Sequence, residues 1–509
     1  MRVLLLSIVW PLLMVSAVGQ IQASALLGAQ PISPEDRIYT GDQTSNTITV
    51  IKPLTNEVLG TISLGDARLT DNISPQYLKV VNSHGLGFSL DGQYINSVAT
   101  TTNTLTVIRT LDNSIVSQTS VDRASHEGFF SHDNRTVWVA CRGTKFVDIV
   151  DEFKGGVIGR IETSTAGPSK VLFSPDGQTA YVNHIVSPTV NIIDLQQRKV
   201  IYTINGLADK FSSDMMLSAD GKNLWVAHKN VGKTFVIDLT TRTIVTFLNT
   251  GLETNHPNFA IINGTLHAFV TSAAMNETMV YRQDSAGSIP IFVKFVRFSD
   301  IEPHGIWGSP DNTRMYTVNE HSDTVDVIDT QSLIVIHIMK VGQEGQALVY
   351  VAGAMTFGNG TQNLGREGLD KRIENRLIAV TNYPKATALI TIRELVGLDM
   401  FQLIGRNLEI NQTYVARAVC KTCNGGTVPI VEFKAVVSVV GHMGCAVAPQ
   451  VLSFLKFFDV YDMNTITLQL KAPQLSNAGH SSVAISAAYT SKAVSQINDD
   501  QPQAPQATS

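Results

Sequence analysis

The sequence predicts an all-β chain, a seven-bladed β-propeller followed by a small β-sandwich, and three observations carry that prediction. A strand-ending phrase recurs as Phe88-Ser-Leu-Asp-Gly92, Phe130-Ser-His-Asp-Asn134, Phe173-Ser-Pro-Asp-Gly177, Leu217-Ser-Ala-Asp-Gly221 and Gly308-Ser-Pro-Asp-Asn312, with first intervals of 42, 43 and 44 residues. Each copy ends in Asp-Gly or Asp-Asn, residues that accept the positive φ of a tight hairpin. Second, an aromatic-rich strand and the residue closing the next strand stand 13 apart in seven units: Tyr39 and Lys52, Asn96 and Arg109, Trp138 and Asp151, Tyr181 and Asp194, Trp225 and Asp238, Phe269 and Arg282, Tyr316 and Asp329. Third, segments such as Val190-Asn-Ile-Ile-Asp194 alternate with the period of strands, and no sustained helical stripe separates the units.

Composition agrees with a large globular chain. At 509 residues the sequence exceeds one ordinary core, and 44% apolar against 16% charged residues leaves ample material to bury. The net charge of -5 and the lack of a Lys/Arg run exclude a nucleic-acid partner.

Taken in order, residues 1–19 read as a signal peptide: Arg2, an apolar stretch interrupted by Pro11, then Ala17 and Gly19 as small residues before the cleavage point. The mature chain is expected to be secreted (periplasmic in a bacterium), without a membrane span. Sequons at Asn72, Asn134, Asn263, Asn276, Asn359 and Asn411 are then acceptors for glycosylation.

The propeller is expected over residues 37–355. Units of this length holding four short strands are the pattern of radially arranged blades. The first unit, Arg37 to Ile62, lacks a leading strand, and Gln346-Ala-Leu-Val-Tyr-Val351 is a leading strand without a following set, so pairing the two would close the ring. Ile378-Ala-Val-Thr-Asn382 followed by Ala388-Leu-Ile-Thr-Ile392 reads as one more repeat and leaves eight blades as the alternative.

Residues 356–376 read as a linker and 377–490 as a sandwich-like domain, with strands near Tyr414 to Val419, Ile430 to Val440 and Thr465 to Leu470. Phe454 to Val460 fits a strand or a single helical turn. The polar tail 491–509 is expected to stay unfolded.

Ala180-Tyr-Val-Asn183, Met315-Tyr-Thr-Val-Asn319 and the Val-Ile-Asp closures at Val236 to Asp238 and Val327 to Asp329 resemble the YVTN family of propeller repeats. The resemblance covers roughly Arg37 to Val351 and implies the fold; it does not imply an activity.

Five residues before each repeat serine stand His84, His126, Ser169, Ser213 and His304; His256 holds the matching place in the sixth unit and Gln346 in the closing strand. This register lies at one mouth of a propeller's channel, so His84, His126, His256 and His304 are the candidate ligand-binding residues. Imidazoles also hold zinc, copper, iron or nickel, and a histidine-rich rim resembles the metal centre of propeller oxidoreductases such as nitrous oxide reductase. A transition metal on these four histidines is therefore the alternative to a mouth without cofactor. The competing structural reading is that a His beside a Gly, as in His84-Gly85 and His304-Gly305, bonds within its blade and fixes a loop.

His184 and His228 read as loop residues. Glu320 and His321 offer a carboxylate and an imidazole for acid–base work, as a propeller lactonase would need. Cys141 is expected to be a buried thiol.

Cys420-Lys-Thr-Cys423 with His442-Met-Gly-Cys445 has the spacing of a zinc knuckle, but secretion favours a disulfide joining Cys420 or Cys423 to Cys445. Asn424 stands where a haem-attachment motif needs histidine. Phosphate-loop, dinucleotide and G-x-S-x-G motifs are lacking. These readings favour a noncatalytic scaffold that binds a protein, glycan or small ligand at the mouth. The rival is an extracellular metal- or cofactor-dependent oxidoreductase or a lactonase-like hydrolase on the same histidines. A structural role in a cell wall or matrix is a third reading.

Overall fold

The computed structural model describes residues 28–64, 82–297, 302–369, 372–379, 386–395, 398–435, 445–453, 457–470 and 489–492. The expected signal peptide, most of the tail and the sequon at Asn72 lie outside these residues.

The repeat phrase builds its hairpin through its own side chains. Ser89, Ser131, Ser174, Ser218 and Ser309 each donate Oγ–H to the aspartate two residues on, at 2.5–2.6 Å. Gly92, Asn134, Gly177, Gly221 and Asn312 supply the left-handed backbone that turns the chain, with φ between 53° and 71°. At the far end of the blade, Asp194, Asp238 and Asp329 accept backbone N–H groups of the next turn at 2.7–2.8 Å. Serine and aspartate therefore recur because each organises a turn.

Seven four-stranded antiparallel sheets result. Blade 1 comprises Arg37–Asp42, Thr47–Lys52 and Glu57–Ser63; its innermost strand is Gly345–Val351, which pairs with Arg37–Asp42. The ring closes as the sequence implied, and the count is seven. The segments that suggested an eighth blade, Ile378 to Asn382 and Ala388 to Ile392, fall instead in strands Arg372–Ala379 and Thr387–Leu395, which pair with each other in a separate sheet; residues 380–382 lie outside the described residues.

Blades 2 to 7 begin with the innermost strands Ser83–Phe88, Ser125–Phe130, Pro168–Phe173, Asp214–Leu217, Thr254–Ile262 and Pro303–Gly308. Each innermost strand touches the next around the ring. These strands are almost entirely buried, whereas outer strands such as Lys199–Ile204 and Ile334–Lys340 alternate with solvent. Apolar side chains between blades, Phe88, Phe129, Trp225 and Phe259 among them, are nearly inaccessible, and their burial holds the blades together.

After the ring closes, residues 356–369 run back along blades 1 and 2. Thr61 and Gly365 exchange backbone bonds of 3.0 and 2.8 Å, and Asn113 donates to the carbonyls of Gly360 and Gln362. The first strand beyond begins at Arg372, a few residues before the expected start of the next domain.

That region is a sandwich with a core of its own, including Phe401, Leu403, Ile466 and Leu468. One sheet orders Cys445–Ser453, Leu398–Arg406, Thr387–Leu395, Arg372–Ala379 and Tyr489–Lys492; the other orders Thr427–Lys434, Thr413–Cys420 and Tyr461–Leu470. Phe457–Val460 is the helical turn.

The disulfide joins Cys420 to Cys423, which corrects the expected link to Cys445. The topology gives the reason: Cys420 pairs with Tyr461 in the three-stranded sheet, while Cys445 pairs with Arg406 in the other. Cys141 is free and buried, and burial pushes its thiol up to about 12.

Candidate functional site

Five of the innermost strands are entered through a residue with left-handed backbone: Asn82, Ala124, Gly167, Glu302 and Glu344 all have φ between 50° and 77°. Two residues further on stand His84, His126, Ser169, His304 and Gln346, so one backbone device delivers the register repeatedly to the same end of the channel. Close approach between blades needs glycine beside it. A Cβ on Gly85 would lie 2.3 Å from the carbonyl of His126, and one on Gly305 would lie 2.6 Å from that of Gln346.

The four histidines converge. Ring centroids are 4.3 Å apart for His84 and His126, 6.5 Å for His84 and His304, and 4.8 Å for His256 and His304. They form an arc across blades 3, 2, 7 and 6. Their bonds do not follow the within-blade pattern of the structural reading: His126 Nδ1 bonds to Ser169 O in the next blade at 3.0 Å, and His304 Nδ1 to Gln346 O at 2.9 Å. His256 Nδ1 lies 2.9 Å from Asp214 Oδ2. A carbonyl or carboxylate partner fixes the proton on Nδ1 in a neutral ring and leaves the Nε2 lone pair free. The Nδ1 of His84 is buried without a partner.

Blades 4 and 5 complete the ring with charge. Lys170 Nζ sits 2.9 Å from Asp214 and 3.2 Å from Glu127, and all three are buried. Arg142 directs Nε and Nη2 onto Ser169 Oγ at 3.0 and 2.7 Å. Among the described residues neither Arg142 nor Lys229 has a carboxylate within ion-pair distance.

Burial, with the Arg142 and Lys229 cations and the neighbouring imidazoles, holds His84 well below its ordinary pKa; burial and Arg142 do the same for His126. Burial, Lys170, Lys229 and Arg142 bring His256 down to about 3. Burial lowers Arg142 to about 10, where it stays a cation at neutral pH. This side of the mouth therefore combines neutral imidazoles with cations free to meet an anion.

The side formed by blades 7 and 1 is acidic. His321 Nε2 lies 2.9 Å from Glu302 Oε2, and its Nδ1 faces Glu344 Oε1 at 3.7 Å. Burial would lower His321, but the carboxylates of Glu302 and Glu320 hold it well above its ordinary value. Gln43 donates to Glu320 at 3.1 Å.

The sandwich docks here. Arg393, fully buried, makes two bonds to Asp323 at 2.9 and 2.8 Å and a third to Gln402, which in turn donates to Glu344 at 2.5 Å. Arg406 reaches the carbonyls of Ala273 and Ala274 in blade 6.

His184 gives its Nδ1 to Thr189 O in its own loop, and His228 packs edge-on against Phe235. Among the described residues, the potential ligand atoms lying within 4.8 Å of one another belong to Glu302, Glu320 and His321, not to the four-histidine arc. Sequence reasoning missed Glu127, Lys170 and Asp214, although each follows a register position directly and puts a charge into an apolar strand. It also missed that Gln43, Arg142, Lys229 and Glu320 occupy one shared position, the residue after the second strand of their blades.

A seven-bladed propeller with a polar, histidine-lined mouth is thus the class of protein. Residues 32–333 match the family described as lactonase, 7-bladed beta-propeller, and the chain belongs to that family. The uncharacterized protein YncE of Salmonella typhimurium is 31% identical over 112 residues, which is 22% of this chain and 28% of that protein. The chain therefore spans under a third of that relative. Among solved structures, hydrazine synthase of Kuenenia stuttgartiensis aligns with a TM-score of 0.50 at 18% identity, over 59% of this chain and 94% of that one. A candidate 6-phosphogluconolactonase of Bacteroides fragilis gives 0.51 at 12% identity, over 64% and 99%. At these identities the likeness concerns the fold.

Proposed function

We propose that this chain is an exported, YVTN-type propeller that hydrolyses a lactone-type ester bearing a negative charge at its histidine-lined mouth. The observation that carries the reading is the convergence of neutral imidazoles with Arg142 and Lys229 on one side of the channel, together with Asp214 Oδ2 set 2.9 Å from His256 Nδ1. Family membership supports the reaction class.

In this reading His256, oriented by Asp214, uses its free Nε2 to take a proton from water as that water attacks the ester carbonyl. The ring C–O bond of the tetrahedral intermediate then breaks, protonated His256 gives its proton to the leaving oxygen, and the ring-opened hydroxy acid is released. Arg142 and Lys229 face the substrate's charge and the oxygen that becomes negative. Burial and Lys170 hold His256 low, with Lys229 and Arg142 adding to it, so an anionic substrate that neutralises the last two makes the imidazole a stronger base when it is needed.

A second reading, retention of an anionic ligand without chemistry, is favoured by how firmly burial keeps His84 and His126 neutral. One experiment separates the two. The full-length protein is assayed with 6-phosphoglucono-δ-lactone, a lactone that carries a negative charge, by pH-stat at pH 6.5. Acceleration over the spontaneous rate, reduced about 100-fold or more in His256→Asn and with a raised KM in Arg142→Gln, supports hydrolysis. No acceleration while D-gluconate still binds supports retention and overturns the hydrolase.

A further inference from the structure

We infer that Glu302, Glu320 and His321 form a binding site for one divalent first-row transition ion, separate from the histidine arc. Three observations lead there. One ligand atom from each residue lies within 4.8 Å of the other two. An ion with bonds of about 2.0–2.2 Å holds its ligand atoms no more than ~4.4 Å apart, so small side-chain rotations suffice.

The second observation concerns Glu320. It is only 8% exposed, one oxygen accepts from Gln43, and the other has no donor or cation within bonding distance among the described residues. Two carboxylates this close and this buried disfavour each other's charge unless a cation lies between them. The imidazole beside it, His321, belongs to the same cluster and is held 2.9 Å from Glu302 and 3.7 Å from Glu344.

The third is the surrounding shell. Ligating histidines and carboxylates are normally held by an outer layer of partners. Glu344 stands ready to accept from His321 Nδ1 and is itself held by Thr44 and by Gln402 of the sandwich, while Gln43 holds Glu320. With Nε2 of His321 and two carboxylates as ligands, the donor set suits zinc or manganese. Three protein ligands leave coordination positions open.

The test uses the full-length protein, stripped with chelator and desalted, titrated calorimetrically with Zn²⁺ alone and with Mn²⁺ alone. One equivalent is expected to bind. Glu320→Gln, which keeps the shape and the contact with Gln43, is expected to weaken binding at least 10-fold, as is His321→Ala. His256→Asn is expected to leave it unchanged. Unaltered near-ultraviolet circular dichroism shows that each variant has folded. Absence of saturable binding overturns the inference. So does binding that survives Glu320→Gln and His321→Ala but is lost in His84→Ala/His126→Ala, which would move the ion to the arc. Neither result depends on lactone hydrolysis, so this site and the proposed activity fail independently.

Discussion

The two sides of the mouth use the same blade positions for opposite ends. The residue after the second strand is Arg142 in blade 3 and Lys229 in blade 5, but Glu320 in blade 7 and Gln43 in blade 1. Two residues into the innermost strand, blades 2, 3 and 7 carry imidazoles, yet only beside blade 7 do carboxylates gather around a second histidine. The sandwich packs on the acidic side through Arg393 and Gln402, and reaches blade 6 through Arg406. A repeated backbone thus fixes where side chains point, and substitutions within it divide one opening into a cationic, neutral-imidazole half and an acidic half roofed by a second domain.

Breaking the charge balance on each side should show how differently the two are built. On the imidazole side, Lys170 is the cation at ion-pair distance from Asp214 and Glu127. Lys170→Met leaves both acids buried and unanswered, and urea unfolding is expected to report a loss of about 3–5 kcal/mol. On the acidic side, Asp323 keeps Arg372 at 3.3 Å when Arg393 is removed. Arg393→Met should therefore cost less, about 2–3 kcal/mol by the same measure, and should expose the sandwich strands to faster hydrogen exchange while the propeller stays protected.

A smaller effect probes the close approach of blades. Gly85→Ala places a Cβ against the backbone of His126 and Glu127, and strain of about 1–3 kcal/mol is expected in the unfolding curve. If its cost were near zero, blades 2 and 3 would have room to separate, and the spacing of His84 and His126 would not be enforced.

A further effect depends on pH. His84, His126 and His256 have folded values below the unfolded one. Below about pH 6.5 the unfolded chain therefore takes up protons that the folded chain refuses, and stability falls as pH drops, by about 1.4 kcal/mol per unit for each imidazole. Asp42, raised by burial to about 7, contributes in the opposite sense as pH rises, so the comparison is made against a variant. His84→Asn/His126→Asn should flatten the fall in Tm between pH 6.5 and 4.5 relative to the parent; an unchanged slope would mean that these rings already titrate in the native protein.

Much of this was legible from residues alone. The blades could be counted because serine and aspartate in the repeat phrase each make a local turn bond, and local bonds leave a fixed spacing. The arc was legible because its members share one register. Its charged partners were not, since Glu127, Lys170 and Asp214 matter only when adjacent blades bring residues 43 or 44 positions apart into contact. Docking of Arg393 on Asp323 spans 70 residues and two domains, and nothing local in either strand announces it. The cysteine pairing was misread because strand neighbours in the sandwich do not follow chain order.

The account depends most on neutral imidazoles that carry their proton on Nδ1 and leave Nε2 open to the channel. Nitrogen-15 spectra of the histidine rings in the full-length protein at pH 7 test this directly. The account predicts neutral Nδ1–H tautomers for His126 and His256, with Nε2 shifts that move when D-gluconate is added. Cationic rings, or Nε2–H tautomers indifferent to the anion, would contradict it.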